Sequence, residues 1–207
     1  MWQGVKISTI IAVCLISILS LSGCAGRNYL IVDYQVPAST SQLDGQTVRL
    51  QIEDRRESKT VLSPEAAYEF PEFNGTYSLA WVVSDRERVL AGEHHLEPLF
   101  KMTFTKRLTA MGIRVIDSSD AAVPLLMIQL KHFKIDLQNH KWQAQMDYDA
   151  VLTAEGRPTS RQNVRGSAER VRIIGRKGAD TVLSDIFSDV VNRLDLIKLF
   201  EGAELVR

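Results

Sequence analysis

Two aspartates, Asp147 and Asp149, alternate with apolar residues in a segment predicted to be a β-strand. Residues two apart on a strand share a face and lie about 7 Å apart. Some glycosidases use paired carboxylates at a similar separation, so a periplasmic hydrolase is one hypothesis. Solvent-facing acids on an alternating strand are far more common, and no neighbouring residue predicts an environment that raises a carboxyl pKa. We therefore predict no catalytic residue and no enzyme.

A second group of reactive side chains occurs in Glu93-His94-His95-Leu96-Glu97. Imidazoles and carboxylates are common metal ligands. Adjacent histidines on a helix point about 100° apart, so both can bind one ion only if the helix begins after them. The simpler interpretation is an exposed helix start, where acidic residues are favourable near the positive end of the helix. We predict no metal and no other cofactor.

Seven basic residues fall in a stretch of 21 residues that contains one acid, Glu169. They are Arg157, Arg161, Arg165, Arg170, Arg172, Arg176 and Lys177. One interpretation is a surface for an anion or an acidic partner, because guanidinium groups make paired hydrogen bonds to such ligands. The other is intramolecular pairing with Asp147, Asp149 and Glu155 of the preceding strand and turn. We favour pairing, although three acidic residues can neutralise only some of the seven basic residues.

The N-terminal residues predict export. Lys6 precedes an uncharged stretch at residues 7–21, and Leu21-Ser22-Gly23-Cys24 closes it with small residues before a cysteine. The uncharged stretch is shorter than the roughly 20 residues that a membrane-spanning helix requires. Residues 1–23 are therefore predicted to be a signal peptide.

The four-residue ending of this leader resembles the lipobox of bacterial lipoproteins. The resemblance implies that Cys24 receives a diacylglycerol and becomes the acylated first residue of the mature protein. It also implies anchoring in the outer membrane on the periplasmic side, because Ala25 stands where retention in the inner membrane favours Asp. Three acyl chains suffice for lasting attachment to a membrane.

Cysteine content and charge exclude several classes of function. The two cysteines are Cys14, in the predicted leader, and Cys24, so the mature protein would have no free thiol and no disulfide. The chain has 25 basic and 25 acidic residues, and this balance argues against a dedicated nucleic-acid binder. A hydrophobic content of 45% is typical of a globular domain.

The elements that must position these residues follow from periodicity. Residues 24–46 are predicted to be the lipidated N-terminus and a tether, with a short strand at 29–32 as an option, and residues 47–207 form a single domain. An amphipathic helix is predicted from Leu96 to Met111, with Gly112 at its C-terminal end, and another from about Ala179 to Phe200. Leu196 and Leu199 lie off the apolar stripe of the second helix and are candidates for contact with a partner.

Alternation of apolar and polar residues predicts the strands. They cover residues 47–53, 77–84, 113–116, 125–137, 142–154 and 160–174. A change of phase within the fourth of these strands predicts a β-bulge near Lys131-His132, and a similar change predicts a slip between Ala168 and Val171. The expected fold class is α+β, with two amphipathic helices on one face of a mainly antiparallel sheet.

From about His94 to Gly202 the chain has a helix that ends in Leu108-Thr109-Ala110-Met111-Gly112-Ile113, then three long strands and a final helix. This order resembles the YajG-like family of bacterial lipoproteins. The lipobox and the strand end Ile52-Glu53-Asp54-Arg55 add to the likeness. The resemblance implies an outer-membrane lipoprotein with a fold similar to auxiliary lipoproteins of envelope lipid-transport systems. It brings no catalytic residues, and the segment from Glu57 to Glu93 is longer than the family usually has.

These observations predict a non-enzymatic binding or adaptor component of an envelope complex. Its partners would be the membrane, through the lipid on Cys24, and an envelope protein, with a role in transport or assembly of lipid or lipopolysaccharide as an option. One alternative is a periplasmic hydrolase of an envelope glycan or lipid that acts through Asp147 and Asp149. The other is a soluble lipid-binding cup between the sheet and its helices.

Overall fold

The computed structural model describes residues 27–84, 87–172 and 177–206. Eight strands and four helices lie within these ranges. In chain order they are β1 Tyr29–Gln35, β2 Thr47–Asp54, α1 Pro64–Glu69, β3 Thr76–Ser84, β4 Glu87–His94, α2 Leu96–Ala110, β5 Arg114–Val115, β6 Leu125–Gln138, β7 Lys141–Thr153, β8 Ser160–Val171, α3 Lys177–Arg193 and α4 Leu196–Gly202.

The strands form two sheets. The larger sheet has the order β5-β2-β6-β7-β8, and the smaller sheet has the order β1-β3-β4. The β6–β7 and β7–β8 pairs are long and antiparallel, whereas β2 lies parallel to both β5 and β6. The smaller sheet combines a parallel β1–β3 pair with an antiparallel β3–β4 pair.

The hydrophobic core lies between the larger sheet and the elements that cover one of its faces. Helix α2 packs against β2 and β5, and α3 packs against β7, β8 and β1. Aromatic side chains join these layers: the Phe100 ring contacts both Phe133 of β6 and Phe187 of α3, and Tyr77 of β3 contacts Phe133. The α+β fold with a mainly antiparallel sheet and two covering helices is therefore confirmed.

Strand β1 corrects the predicted tether at residues 24–46. Leu30, Val32 and Tyr34 are fully buried, so the domain begins well before residue 47. The outer edge of β1 is closed by α3 rather than by another strand. The side chains of Asp180, Ser184 and Ser188 accept hydrogen bonds from the outward N–H groups of Ile31, Asp33 and Gln35, at 2.8, 2.9 and 2.9 Å respectively.

The predicted β-bulge in β6 is confirmed. Leu130 pairs with Tyr148 and His132 pairs with Asp147, so Lys131 is the extra residue. The bulge returns Phe133 and Ile135 to the buried face of the sheet. By contrast, the predicted slip in β8 is wrong, because β8 pairs with β7 in one continuous register from Ser160 to Val171.

The predicted helix from Ala179 to Phe200 is two helices. Helix α3 ends at Arg193, and Asp195 caps α4 by accepting a hydrogen bond from the N–H of Lys198 at 3.1 Å. The break changes which side chains face the core, so Leu196 and Leu199 are buried. The prediction that these leucines are available to a partner is therefore wrong.

A compact ion pair ends β2. Asp54 accepts hydrogen bonds from Arg56 Nε at 3.0 Å and Arg56 Nη2 at 2.9 Å, and Lys59 Nζ lies 3.1 Å from the same carboxylate. The Arg56 side chain is only 6% exposed. Burial alone would raise the pKa of Asp54, but these hydrogen bonds and charges hold it at about 2.

Candidate functional site: the polar face of the larger sheet

The face of the larger sheet opposite the helices is polar and carries an open cleft of about 790 Å³. The cleft lies beside the β6 bulge and extends to the segment that precedes α1. Its charged lining residues are Arg55, Glu57, Lys131, Lys134, Asp149 and Arg161. The lining therefore contains more fixed positive than negative charges.

The bulge positions the shortest ion pair in the cleft. Because Lys131 has no partner in the β6–β7 register, its side chain is directed over the neighbouring strand, as bulges commonly do. Its Nζ lies 2.6 Å from Oδ2 of Asp149. The Asp149 side chain is only 6% exposed, whereas that of Lys131 is 47% exposed. The cation therefore covers a largely buried carboxylate.

Asn163 on β8 connects the two aspartates that the sequence singled out. Its Nδ2 donates hydrogen bonds to Oδ1 of Asp147 at 2.7 Å and to Oδ1 of Asp149 at 2.9 Å. The Oδ1 of Asn163 accepts from Arg165 Nε and Nη2, at 3.2 and 3.1 Å. Asp147 and Asp149 thus share a face, as predicted, and belong to one hydrogen-bonded network.

The network keeps Asp149 ionised. Burial alone would raise the pKa of Asp149, but hydrogen bonds from Lys131 and Asn163 and the nearby charges of Lys131 and Arg161 lower it below its ordinary value. A carboxyl group that donates a proton in hydrolysis instead needs a raised pKa. This environment therefore favours a structural role for Asp149 over that of a proton donor.

The five described arginines of the basic stretch do not form one surface. Arg161 and Arg165 lie on the polar face, at 4.0 Å from Asp149 and 3.9 Å from Asp147 respectively. The other described arginines pair with acids elsewhere: Arg157 with Glu204 at 3.9 Å, Arg170 with Asp185 at 2.6 Å, and Arg172 with Glu69 at 2.7 Å. Arg176 lies outside the described residues, as does the side chain of Lys177.

Intramolecular pairing is therefore the better interpretation of the five described arginines. Their partners are not confined to the preceding strand and turn, because Glu69, Asp185 and Glu204 come from or follow helices. Acids from outside the hairpin therefore pair with the arginines that the acids of the hairpin do not bind.

The two adjacent histidines bind separate backbone carbonyls. Helix α2 begins after them, at Leu96, which is the arrangement that sharing one ion would require. However, His94 Nε2 lies 3.0 Å from the oxygen of Ala91, and His95 Nδ1 lies 3.2 Å from the oxygen of Gly75. No group of three or more His, Cys, Asp or Glu side chains suited to a metal ion occurs in the described part of the chain.

Sequence reasoning missed the cations of the cleft, Arg55, Lys131 and Lys134. The predicted bulge was a signal for Lys131, because an extra residue in a strand redirects a side chain. Cys24, the predicted lipidation site, lies outside the described residues. Among residues 27–84, 87–172 and 177–206, no helix has the length and apolar character needed to cross a membrane.

Known proteins similar to this chain were found among solved structures. No family model and no curated protein matches the chain. Among solved structures, the chain is similar to the crystal structure of protein XCC0632 from Xanthomonas campestris, described under the family model DUF330. The identity is 14% and the TM-score is 0.48, over 84% of this chain and 97% of that chain.

Proposed function

We propose that this protein is a lipoprotein of the bacterial outer membrane, anchored through Cys24, facing the periplasm and acting as a non-enzymatic binding or adaptor component of an envelope complex. The observation that carries the proposal is the sequence Leu21-Ser22-Gly23-Cys24 at the end of an uncharged stretch that follows Lys6. The resemblance to YajG-like lipoproteins supports the same assignment. Anchoring would hold the domain near its partner at a raised effective concentration.

The polar face supports binding rather than hydrolysis. Its two aspartates already accept hydrogen bonds from Asn163, and Asp149 is also covered by Lys131. The cleft beside them is open and polar, and it presents Lys134 and Arg55 as well as Glu57. Such a surface suits an acidic segment of a partner or a lipid phosphate, because cations lie around a carboxylate that is already paired.

The direct test is replacement of the lipidated thiol. A Cys24→Ser protein should lose acylation and leave the outer-membrane fraction, because serine offers no thiol for the diacylglycerol. The matched control is Cys14→Ser, which removes the other cysteine of the chain but lies in the predicted leader. It should still yield an acylated protein in the outer membrane.

Two measurements decide the outcome. Intact mass spectrometry of the wild-type protein should show cleavage before Cys24 and the added acyl chains. Fractionation of cells should then separate the two serine variants. A Cys24→Ser protein that remains in the outer-membrane fraction, or a wild-type mass without acyl chains, would refute the proposal.

A further inference from the structure

The fold holds the chain firmly from Arg27 onward. Arg27 Nη2 donates to Oδ1 and Oδ2 of Asp180 at 2.9 and 2.8 Å, and the guanidinium lies 5.2 Å from the centroid of the Tyr29 ring. The carbonyl of Asn28 accepts a hydrogen bond from the N–H of Asn74 at 3.2 Å. Strand β1 begins at the next residue. The position of Arg27 is therefore set by the domain.

The distance from Arg27 to an acylated Cys24 is short. Three residue steps separate them, and a fully extended chain covers at most about 11 Å in three steps. The polar headgroup layer on each side of a bilayer is itself about 5–7 Å thick. If Cys24 carries the acyl chains, as proposed above, the end of the domain that contains Arg27 must lie at the headgroup layer.

Two exposed apolar side chains occur at this same end of the domain. Tyr68 of α1 is 86% exposed, and Val171 at the end of β8 is 63% exposed. Their chain neighbours Glu69 and Arg172 form an ion pair at 2.7 Å, which brings the two segments together. The ring centroid of Phe70, two residues after Tyr68, lies 5.9 Å from the Arg27 guanidinium carbon. Tyrosine is enriched where proteins meet lipid headgroups, because its ring is apolar and its hydroxyl is polar.

Among the side chains that the structure describes, the charges at this end are mostly paired. Arg27 binds Asp180, Arg172 binds Glu69, and Lys141 binds Glu169 at 2.7 Å. Glu65 of α1 and Glu72, in the turn between α1 and β3, are exposed and add two negative charges. The side chains of Arg176 and Lys177 lie outside the described residues. The described side chains alone therefore give little attraction to anionic lipid, and we expect contact with the membrane to depend mainly on the acyl anchor and on apolar side chains.

We propose that the domain rests on the membrane through this end, with Tyr68 and Val171 against the lipid headgroups. The proposal rests on acylation at Cys24 and adds to it a defined orientation. The short connection excludes a domain that moves freely far from the bilayer. The opposite end of the β7–β8 hairpin would then point away from the membrane, because the thirteen residues of β7 make twelve steps of about 3.3 Å and span about 40 Å.

The test uses full-length protein, matured in cells and reconstituted into vesicles of phosphatidylethanolamine and phosphatidylglycerol. Because the Cys24 thiol is consumed by the lipid, a cysteine introduced as Tyr68→Cys or Val171→Cys is the free thiol that a fluorophore labels. Glu155→Cys, in the exposed turn at the far end of the hairpin, is the matched control. A nitroxide on the lipid headgroup quenches fluorophores that lie near the membrane surface.

We expect quenching at positions 68 and 171 to be several-fold stronger than at position 155. Equal quenching at all three positions of a protein whose intact mass shows the acyl chains would overturn the orientation and leave the lipoprotein assignment in place. An intact mass without acyl chains would overturn both proposals together. The two kinds of failure are therefore distinguishable.

Discussion

The two edges of the smaller sheet differ in what covers them. The edge of β1 is closed by α3, whose side chains at positions 180, 184 and 188 bind three consecutive outward N–H groups. On β4, at the other edge, no strand of the described chain pairs with the outer side. Val89 and Leu90 of β4 are 47% and 64% exposed.

The comparison shows how a helix can replace a strand. Four residues of a helix rise about 6.0 Å, and two residues of a strand rise about 6.6 Å, so polar side chains at every fourth helix position match every second strand N–H. Asn192 continues the series, since its Nδ2 donates to the oxygen of Gln35 at 2.9 Å. The edge of β1 is satisfied without a further strand, whereas no described strand covers the edge of β4.

The largest effect should come from breaking the closed edge. Asp180→Ala removes the acceptor of the Ile31 N–H and the partner of Arg27, whose side chain is only 23% exposed. We expect the free energy of unfolding to fall by about 3 kcal/mol, because a largely buried guanidinium and an N–H group lose their partner. Urea unfolding of the mature chain measures this loss.

The control for that change is Asp189→Ala on the same helix. Its side chain is 49% exposed and pairs with Arg193 four residues later. The loss should be below about 0.5 kcal/mol, as for other exposed pairs on one helix. Equal losses for the two variants would show that the seam between α3 and β1 contributes no special stability.

The ion pair that ends β2 provides a smaller effect that depends on pH. The pKa of Asp54 is about 2 in the folded protein, below its ordinary value of 3.8. The stabilisation is therefore complete at pH values above the ordinary pKa and is lost as pH falls through the folded pKa. At pH 7, Asp54→Asn should lower the free energy of unfolding by about 2 kcal/mol.

The measurement compares urea unfolding of the wild type and Asp54→Asn at pH 7 and near pH 2. The difference between them should shrink at acid pH, because near pH 2 about half of the folded wild-type protein has a protonated Asp54 carboxyl and most of the stabilisation from its charge is lost. Asp117→Asn, at a side chain that is 95% exposed, is the control and should change little at either pH. A difference that is the same at both pH values would contradict the cause given for the Asp54 pKa.

The smallest effect is expected at the open edge. Leu90→Ser removes an apolar side chain that is already 64% exposed, so the free energy of unfolding should change by less than about 0.5 kcal/mol. Urea unfolding at two protein concentrations measures it. A loss above about 1 kcal/mol, or one that depends on concentration, would mean that the β4 edge is covered in solution, and the comparison of the two edges would then fail.

Local patterns predicted the features that depend on near neighbours in the chain. The bulge at Lys131 followed from a change of phase within one strand, and the end of α2 followed from Gly112, whose φ of 86° suits glycine. The aspartates at positions 147 and 149 share a face, as alternation required. These predictions needed no knowledge of distant segments.

The errors fall where distant segments decide the structure. Strand β1 is completed by β3 and by α3, about 150 residues away in sequence, and no pattern in residues 29–35 shows either partner. The break at Asp195 is reinforced by Gln162 of β8, whose Nε2 donates to the Asp195 carbonyl at 2.7 Å. Likewise, the arginines near β8 lie beside different elements. Arg157, in the turn before β8, pairs with Glu204 after α4, and Arg172, after β8, pairs with Glu69 of α1.

The closing of β1 by α3 has a consequence for the order in which the chain folds. Strand β1 lies near the start of the described chain, and the residues of α3 that bind it lie about 150 residues later. Contacts between segments so far apart in sequence form slowly. For the lipoprotein proposed above, we therefore expect the enzymes that cleave and acylate the N-terminus to act before α3 closes the edge of β1.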